Sequence, residues 1–314
     1  MSVDVSSPPA SPANIDAIPM RHPWRWLAAI VILIVALLFL YGVATNDAYK
    51  WPTYSKYLFD QRIARAALNT IALTVLSMLL AVVLGAVLAV MRLSPNPVFK
   101  AVAWVYLWIF RGTPVYVQLV FWGLVPTIYS SLQFGIPFGP SFFQVNLQAL
   151  SIPFALAIAG LALNESAYMA EIIRGGLISV PEGQTEASTA LGMSWGLTMR
   201  RTVLPQAMRV IIPPTGNEVI SMLKTTSLVT GVPFTLDLFG ITSREIAART
   251  FEPVPLLMVA ATWYLVFTSI LMVGQYYLER YFARGASRKL TAKQLEALAK
   301  AQGAGAPGGG GEGA

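Results

Sequence analysis

Four long runs of the sequence carry no charged residue, and they constrain the fold more than any other feature. The runs are Trp26 to Ala44, Ala66 to Met91, Gly112 to Asn164 and Pro253 to Leu278. Each is close to or longer than the roughly 20 apolar residues that an α-helix needs to cross a bilayer. Only 12% of all residues are charged, whereas a soluble domain carries roughly 25%. The sequence therefore predicts an all-α membrane protein that crosses the bilayer several times.

Prolines, glycines and charges divide these runs into about six predicted transmembrane helices. They are expected at residues 26–44, 66–91, 98–125, 150–173, 213–236 and 253–278. Residues 126–148 contain several prolines and glycines, which predict a loop or a re-entrant segment instead of one continuous helix. Pro213 and Pro214 are expected to break any preceding helix, so that the fifth span begins there.

Both ends of the chain are predicted to be disordered tails on the cytoplasmic side. Residues 1–25 are rich in Ser, Pro and Ala, and residues 284–314 change from a basic to a Gly-rich stretch. The first apolar run, 26–44, exceeds the roughly 7–15 residues of a signal-peptide core, so we expect it to be an uncleaved helix. This helix lies outside the predicted main transmembrane domain, residues 66–283.

The orientation follows from the basic residues that flank the apolar runs. Most of them lie after the fourth predicted helix and in the C-terminal tail, which favours that side as cytoplasmic. Lys50, Lys56, Arg62 and Arg65 lie on the opposite side and make the first helix, taken alone, ambiguous. The larger downstream set decides the expected orientation.

Composition also argues against several other functions. The net charge of +7 does not indicate nucleic-acid binding, because the basic residues flank apolar runs. The chain has no cysteine and one histidine, His22, in the proline-rich tail, so no metal site is expected. No catalytic residues are identified, since no catalytic triad, paired-Asp or zinc-protease pattern is present. A phosphate-binding P-loop is also missing, so no cofactor is expected on this chain.

Residues 179–205 have the pattern of a helix, a glycine turn and a second helix. Ser179 and Glu182 have the spacing of a capping box, which predicts a helix from about Val180 to Leu191. Gly192 is expected to take the left-handed conformation just past that helix.

The second helix of this segment is predicted from its own cap and apolar spacing. Ser194 is expected to cap it, and Pro205 is expected to stop it. Its predicted apolar face consists of Trp195, Met199 and Val203, which follow one another at intervals of four.

Two acidic residues on the first of these helices indicate a protein partner. Glu182 and Glu186 are a like-charge pair four residues apart, which costs about 0.2–0.5 kcal/mol in an isolated helix. Neither has a basic residue four positions later, and an anionic inner leaflet would repel both. A docking helix therefore explains the pattern better than the alternative, a plain interfacial helix.

The same segment resembles the EAA loop of ABC-importer permeases, through Glu186-Ala187-Ser188, Gly192 and Leu204-Pro205. Further segments resemble the polar amino-acid uptake subfamily, namely 111–114, 164–174, 180–184, 204–206, 213–218 and 224–228. Two positions depart from the family pattern. Ser188 replaces the second alanine of the motif, and Thr202 stands where an apolar residue is usual.

The resemblance implies a permease subunit of an ATP-driven importer, not an enzyme, in the cell inner membrane. Residues implied to contact the ATPase are Glu182, Glu186, Ala187, Ser188, Gly192, Leu204 and Pro205. The implied partners are ATPase subunits that bind ATP and Mg²⁺, a second permease subunit, an extracytoplasmic solute-binding protein, membrane lipid and an amino-acid substrate. Which amino acid is carried is not readable, because the binding protein shares the selectivity.

Polar residues inside the predicted membrane helices are candidates for the substrate pathway, since a charge there costs about 2.5–3.5 kcal/mol. The candidates are Arg111, Gln118, Asn164, Glu165, Asn217, Glu218, Ser221, Lys224 and Thr225. An amino-acid zwitterion needs an acidic and a basic partner, which Glu165 and Lys224 can supply. The alternatives are a structural Glu165–Lys224 pair, an anchoring role for Glu218, and stabilisation of a broken helix by Arg111.

An ion-gradient-driven secondary transporter or channel is the alternative function. Such a protein would not need an acidic docking helix. The sequence also shows no pair of Gly/Pro-interrupted spans in matching halves, which would indicate inverted repeats.

Overall fold

The computed structural model describes residues 23–136, 139–147 and 153–282, which are mainly helical. The chain divides into two compact units after Trp51. Nearly all of both predicted tails lies outside the described residues, so their disorder stays a prediction.

The first unit contains one long helix, α1 (Pro23–Thr45), followed by a 3₁₀ turn at Asp47–Tyr49. The helix begins at Pro23, earlier than predicted, because proline is well tolerated in the first helical turn. Asn46 caps the 3₁₀ turn by accepting a hydrogen bond from the Ala48 N–H at 2.9 Å. The polar segment after the first span is therefore ordered.

The second unit contains the other helices and one small sheet. They are α2 (Trp51–Leu58), α3 (Gln61–Leu93), α4 (Pro97–Gly112), α5 (Val115–Ile128), β1 (Ser131–Gly135), β2 (Ser141–Asn146), α6 (Pro153–Ile178), α7 (Glu182–Ala190), α8 (Trp195–Thr198), α9 (Leu204–Thr225), α10 (Leu238–Gly240), α11 (Ala247–Thr250) and α12 (Pro253–Phe282). π-Helical turns at Met199–Val203 and Ile241–Ile246 lead into α9 and α11, and a 3₁₀ turn at Thr226–Gly231 follows α9.

Four of the described helices, α1, α3, α6 and α12, are long and apolar enough to cross a bilayer. They correspond to the first, second, fourth and sixth predicted spans. The third predicted span is divided into α4 and α5 around Thr113 and Pro114. The helical architecture is confirmed, whereas the count of six spans and the position of both termini stay predictions.

Helices α3 and α6 pack closely and form the centre of the second unit. Their approach needs a residue without a side chain, because a Cβ at Gly85 would lie 2.6 Å from the Met169 Cβ. Leu73 of α3 and Leu161 of α6 belong to the same buried cluster. At its start, α3 is capped by Asp60, which accepts from the Arg62 N–H at 2.8 Å. Hydrogen bonding to the Arg62 guanidinium lowers the pKa of Asp60.

Helix α9 differs from the sequence prediction at both of its proline sites. It begins at Leu204 and continues through Pro213 and Pro214, so these prolines do not start the span. Pro205 lies in its first turn, where a missing N–H breaks no helical bond, and therefore does not stop a preceding helix. Gln275 of α12 donates to the Pro213 carbonyl at 2.7 Å, in space that Gly216 leaves open.

The segment after α5 forms an antiparallel hairpin where a loop or re-entrant piece was predicted. Helix α5 contains Pro126 and ends at Ile128. Strand β1 then pairs with β2, with Ser131 opposite Asn146 and an irregularity between Phe134 and Gly135. The prediction that no continuous helix fills this segment is confirmed, but the strands were not foreseen.

The polar connection between α9 and α12 is ordered as well. Asp237 is buried and caps α10 by accepting from the Phe239 and Gly240 N–H groups, each at 3.1 Å. The Leu238 N–H donates to the Thr70 hydroxyl of α3 at 2.9 Å. The connection therefore packs against the central helix.

Adjacent glycines near the end of α6 provide a test of the α6–α9 contact. A Cβ at Gly176 would overlap the buried Ile211 side chain, whereas a Cβ at Gly175 meets nothing within 4 Å. We expect Gly176→Ala to destabilise the protein by roughly 1–3 kcal/mol through overpacking. Gly175→Ala is the matched control, and it should be neutral or slightly stabilising. Thermal unfolding of the purified variants measures the difference, and equal melting temperatures would contradict this packing.

Candidate functional site

A polar cavity of about 510 Å³ lies where the α4–α5 break, α6 and α9 meet. Its volume is within the roughly 300–1,000 Å³ of small-molecule sites. The lining residues are Arg111, Gly112, Thr113, Pro114, Val115, Leu161, Asn164, Glu165, Tyr168, Glu218, Ser221, Met222 and Thr225. Six of the nine predicted pathway residues are among them.

Two acidic side chains face each other in this cavity. Glu165 projects from α6 and Glu218 from α9, and their carboxyl groups lie close enough to interact. Glu165 is only 7% exposed, and its Oε1 atom has no hydrogen-bond partner among the described residues. Two neighbouring carboxylates repel each other unless a cation or a proton lies between them. The cavity is therefore suited to a positively charged group.

The break between α4 and α5 is held by two amide side chains. Gln118 donates to the carbonyl oxygens of Phe110 at 3.0 Å and Thr113 at 3.1 Å. Asn164 donates to the Phe110 carbonyl at 2.9 Å and to the Gln118 Oε1 at 3.0 Å. These bonds satisfy carbonyl groups near the interrupted helix, as non-helical backbone at membrane depth requires. Gln118 lies behind the cavity wall, whereas Asn164 also lines the cavity.

Arg111 lies at the edge of the cavity, beside an aromatic ring. Its guanidinium carbon is 5.4 Å from the centre of the Tyr168 ring, within the range of a cation–π interaction. Arg111 also borders a second cleft, whose other residues include Arg92, Trp108 and Glu171. The guanidinium therefore belongs to two neighbouring openings.

Lys224 and Asn217 lie outside the cavity, so the expected pairing of Glu165 with Lys224 is not found. Lys224 is exposed and lines a separate cleft with Tyr264. Helical geometry explains this placement, since Lys224 lies about 120° around α9 from Glu218 at 100° per residue. Glu218, Ser221 and Thr225 share one face by the same count. A stricter count of the residues on one face of α9 would have excluded Lys224 and Asn217 from the predicted pathway and included Met222. Tyr168 of α6 also lines the cavity, but it was not predicted because only polar residues in the membrane helices were considered.

The turn after α7 has the conformation that the sequence predicted. Gly192 has a φ of +76°. Its N–H donates to the Thr189 carbonyl at 2.9 Å, and the Met193 N–H donates to the Ser188 carbonyl at 3.1 Å. These two bonds form a Schellman motif, which ends α7 and turns the chain.

The predicted caps of the two loop helices are wrong. The Ser179 hydroxyl donates to the Gly176 carbonyl at 2.7 Å, so no capping box forms and α7 begins at Glu182. Ser194 occupies the cap position of α8, but its side chain makes no capping bond. The predicted apolar face is divided, because Trp195 is 77% exposed and Val203 is buried.

The loop presents an exposed acidic and apolar surface. Glu182 and Glu186 are exposed, and within the described residues neither has an ion pair. Leu191 is 81% exposed, comparable with Trp195. Ala187, Gly192, Leu204 and Pro205 are exposed as well. Ser188 is the exception among the predicted contact residues, since it is buried.

The chain matches the model of one protein family over residues 81–284, described as the inner membrane component of binding-protein-dependent transport systems. The chain belongs to this family. The arginine transport system permease protein ArgU of Corynebacterium glutamicum is 63% identical over 296 residues, covering 94% of this chain and 92% of that protein. HisM of Escherichia coli, a histidine/lysine/arginine/ornithine transport system permease, is 37% identical over 209 residues, covering 64% and 82%.

A solved structure supports the same assignment. The crystal structure of an amino acid ABC transporter with histidines has a chain that is 31% identical, with a TM-score of 0.59, covering 72% of this chain and 97% of that one. The protein is therefore a multi-pass membrane permease subunit of an ATP-driven amino-acid importer, and ATP hydrolysis belongs to a separate chain. This assignment confirms the predicted function over the ion-gradient alternative.

The amide network at the helix break can be tested by removing one amide. Gln118→Leu should leave the Thr113 carbonyl without its side-chain donor in a partly buried hydrogen bond, which costs roughly 1–3 kcal/mol. Gln133→Leu, at an exposed position on β1, is the control for the same change in chemistry. Thermal unfolding in detergent measures both variants. A Gln118→Leu variant as stable as the control would contradict this role.

Proposed function

We propose that this permease carries a basic amino acid, and the facing carboxyl groups of Glu165 and Glu218 are the observation that carries the proposal. Together with Arg111, these groups leave one excess negative charge when all three are ionised. A basic amino acid carries one excess positive charge, so it neutralises the cavity. A neutral zwitterion would leave the cavity with one uncompensated negative charge.

The two ends of such a substrate fit different parts of the cavity. Its side-chain cation would bind between Glu165 and Glu218, where charge-assisted hydrogen bonds are strong. Its α-carboxylate would bind the Arg111 guanidinium, and Asn164, Ser221 and Thr225 offer further polar contacts. The names of ArgU and HisM, which refer to basic amino acids, support this substrate class. Roles for Lys224, Asn217 and Gln118 would have to be indirect, since they lie outside the cavity.

The exposed loop is proposed to bind the ATPase. Glu182 and Glu186 would pair with basic residues of that subunit, and Leu191 and Trp195 would bury their exposed side chains there. Ala187, Gly192, Leu204 and Pro205 lie on the accessible part of the loop. ATP and Mg²⁺ would then bind to the ATPase and not to this chain.

The remaining partners follow from the importer family. A second permease subunit is expected to complete the pathway, and an extracytoplasmic solute-binding protein is expected to deliver the amino acid. The family name supports a location in the cell inner membrane. Lipid is expected to cover the apolar faces of α1, α3 and α12, whose composition suits a bilayer.

The acid pair is tested by charge-neutral substitution. Glu165→Gln and Glu218→Gln should each reduce the preference for arginine over a neutral amino acid by roughly 10- to 100-fold, the loss of one charged hydrogen bond. Glu279→Gln is the control, because its amide oxygen can still accept the hydrogen bond from Gln275. Competition uptake in proteoliposomes measures the preference. Unchanged selectivity in both variants would contradict the proposed site.

The docking surface is tested by reversing one charge. Glu186→Lys should abolish co-purification with the ATPase, since it places a cation where the partner is expected to be basic. Asp47→Lys makes the same charge change in the 3₁₀ turn after α1, far along the chain from the loop. Retention of the ATPase by Glu186→Lys at the level of Asp47→Lys would rule out this contact.

A further inference from the structure

We propose that Gln184, Ser188, Thr202 and Gln206 form a polar clasp that transmits movement of α7 to α9, and so couples the ATPase to the cavity. The proposal rests on the docking function proposed for the loop. It concerns a different property, the way in which a force on α7 reaches the membrane. All four side chains belong to residues on either side of the Gly192 turn.

The clasp is a closed ring of hydrogen bonds. The Ser188 hydroxyl donates to the Gln184 carbonyl at 2.8 Å and shares a 2.9 Å hydrogen bond with the Thr202 hydroxyl. Gln206 donates to the Thr202 carbonyl at 3.0 Å and to the Gln184 Oε1 at 3.3 Å. The ring therefore joins α7 to Thr202, in the π-helical turn before α9, by one side-chain bond and to Gln206, in the first turn of α9, by another.

Ser188 and Thr202 are the two positions where the loop departs from its family pattern, and they contact each other. The pattern has alanine at the first position and an apolar residue at the second. Ser188 is 5% exposed, so its hydroxyl needs a partner inside the protein. The Gln184 carbonyl accepts its proton, and the Thr202 hydroxyl is its second partner. The two departures are therefore joined by a hydrogen bond.

The position of Thr202 explains why this contact can carry movement. Thr202 lies in the π-helical turn Met199–Val203, which continues directly into α9. Further along α9, Glu218, Ser221 and Thr225 line the cavity. The Gly192 turn itself is open, because a Cβ there would meet nothing within 4 Å. The clasp supplies a direct connection, besides the turn itself, from α7 to the helix that carries Glu218.

Coupling and stability can be separated by measuring amino acid transported per ATP hydrolysed. The assay uses the whole importer, with its ATPase and binding protein, in proteoliposomes. Thr202→Val and Ser188→Ala should each lower this ratio by roughly two- to tenfold, the effect of one lost hydrogen bond. Thr202→Ser keeps the hydroxyl and should retain the wild-type ratio. Thr189→Ala is the control, because Thr189 is exposed and its hydroxyl bonds only to the Thr185 carbonyl within the described residues.

The double variant Ser188→Ala/Thr202→Val gives the sharpest comparison. Replacing both hydroxyls by apolar groups leaves an apolar contact in place of the hydrogen bond, so the ratio should return to within about twofold of wild type. A double variant whose loss equals the product of the two single losses would overturn the clasp. So would single variants that behave like Thr189→Ala.

A crosslink tests whether the clasp stays closed while the transporter works. The chain has no cysteine, so Ser188→Cys/Thr202→Cys introduces its only pair. The oxidised variant, with its disulfide verified by mass spectrometry, should keep the wild-type ratio. If oxidation stopped transport and a reductant restored it, α7 would have to separate from α9 during the transport cycle. That result would overturn the proposal.

Co-purification with the ATPase distinguishes this proposal from the docking function. Each clasp variant should retain the ATPase at the wild-type level, because the exposed docking residues are unchanged. Failure of the wild-type chain to bind an ATPase would contradict the docking function. Normal binding together with an unchanged transport ratio in the single variants would contradict the clasp alone.

Discussion

The cavity depends on one interruption in a membrane helix and on the two amides that satisfy its backbone. A continuous α4–α5 helix would close the space beside Glu165. The interruption at Thr113 and Pro114 opens that space, but it also leaves carbonyl groups without their helical partners. At membrane depth such carbonyl groups need hydrogen bonds from the protein or from a water-filled cavity. Gln118 and Asn164 donate to these carbonyls, and Asn164 also donates to the Gln118 Oε1, so the break becomes a fixed part of the wall.

Helix α9 connects the loop of residues 179–205, which is proposed to bind the ATPase, to the cavity. Its start is continuous with that loop, and its later turns place Glu218 in the cavity wall. This continuity needs Pro213 and Pro214 to remain inside a helix, which Gln275 of α12 supports from a neighbouring helix. A contact outside the loop thus preserves the link between the loop and the cavity.

The features that sequence reasoning found are those with a local cause. Long uncharged runs predicted α3, α6 and α12, and Gly192 predicted its own backbone conformation. The features that it missed depend on a distant partner. The capping box does not form, because the Ser179 hydroxyl donates to a carbonyl of α6 instead. Pro213 remains inside a helix, where Gln275 of α12 donates to its carbonyl. Sequence reasoning selected polar residues of α9 for the cavity, and Glu218 does line it. It could not show that Lys224 faces elsewhere, because that depends on the rotation of α9 about its axis.

The position of Arg111 has an electrostatic consequence for both openings that it borders. One guanidinium lines the cavity and the cleft that contains Glu171, so its charge contributes to the potential of each. Glu171 keeps two other cations, because it pairs with Arg174 at 2.7 Å and with Arg92 at 3.6 Å. A substrate carboxylate that binds Arg111 therefore makes the potential of the cleft more negative, yet it leaves Glu171 paired.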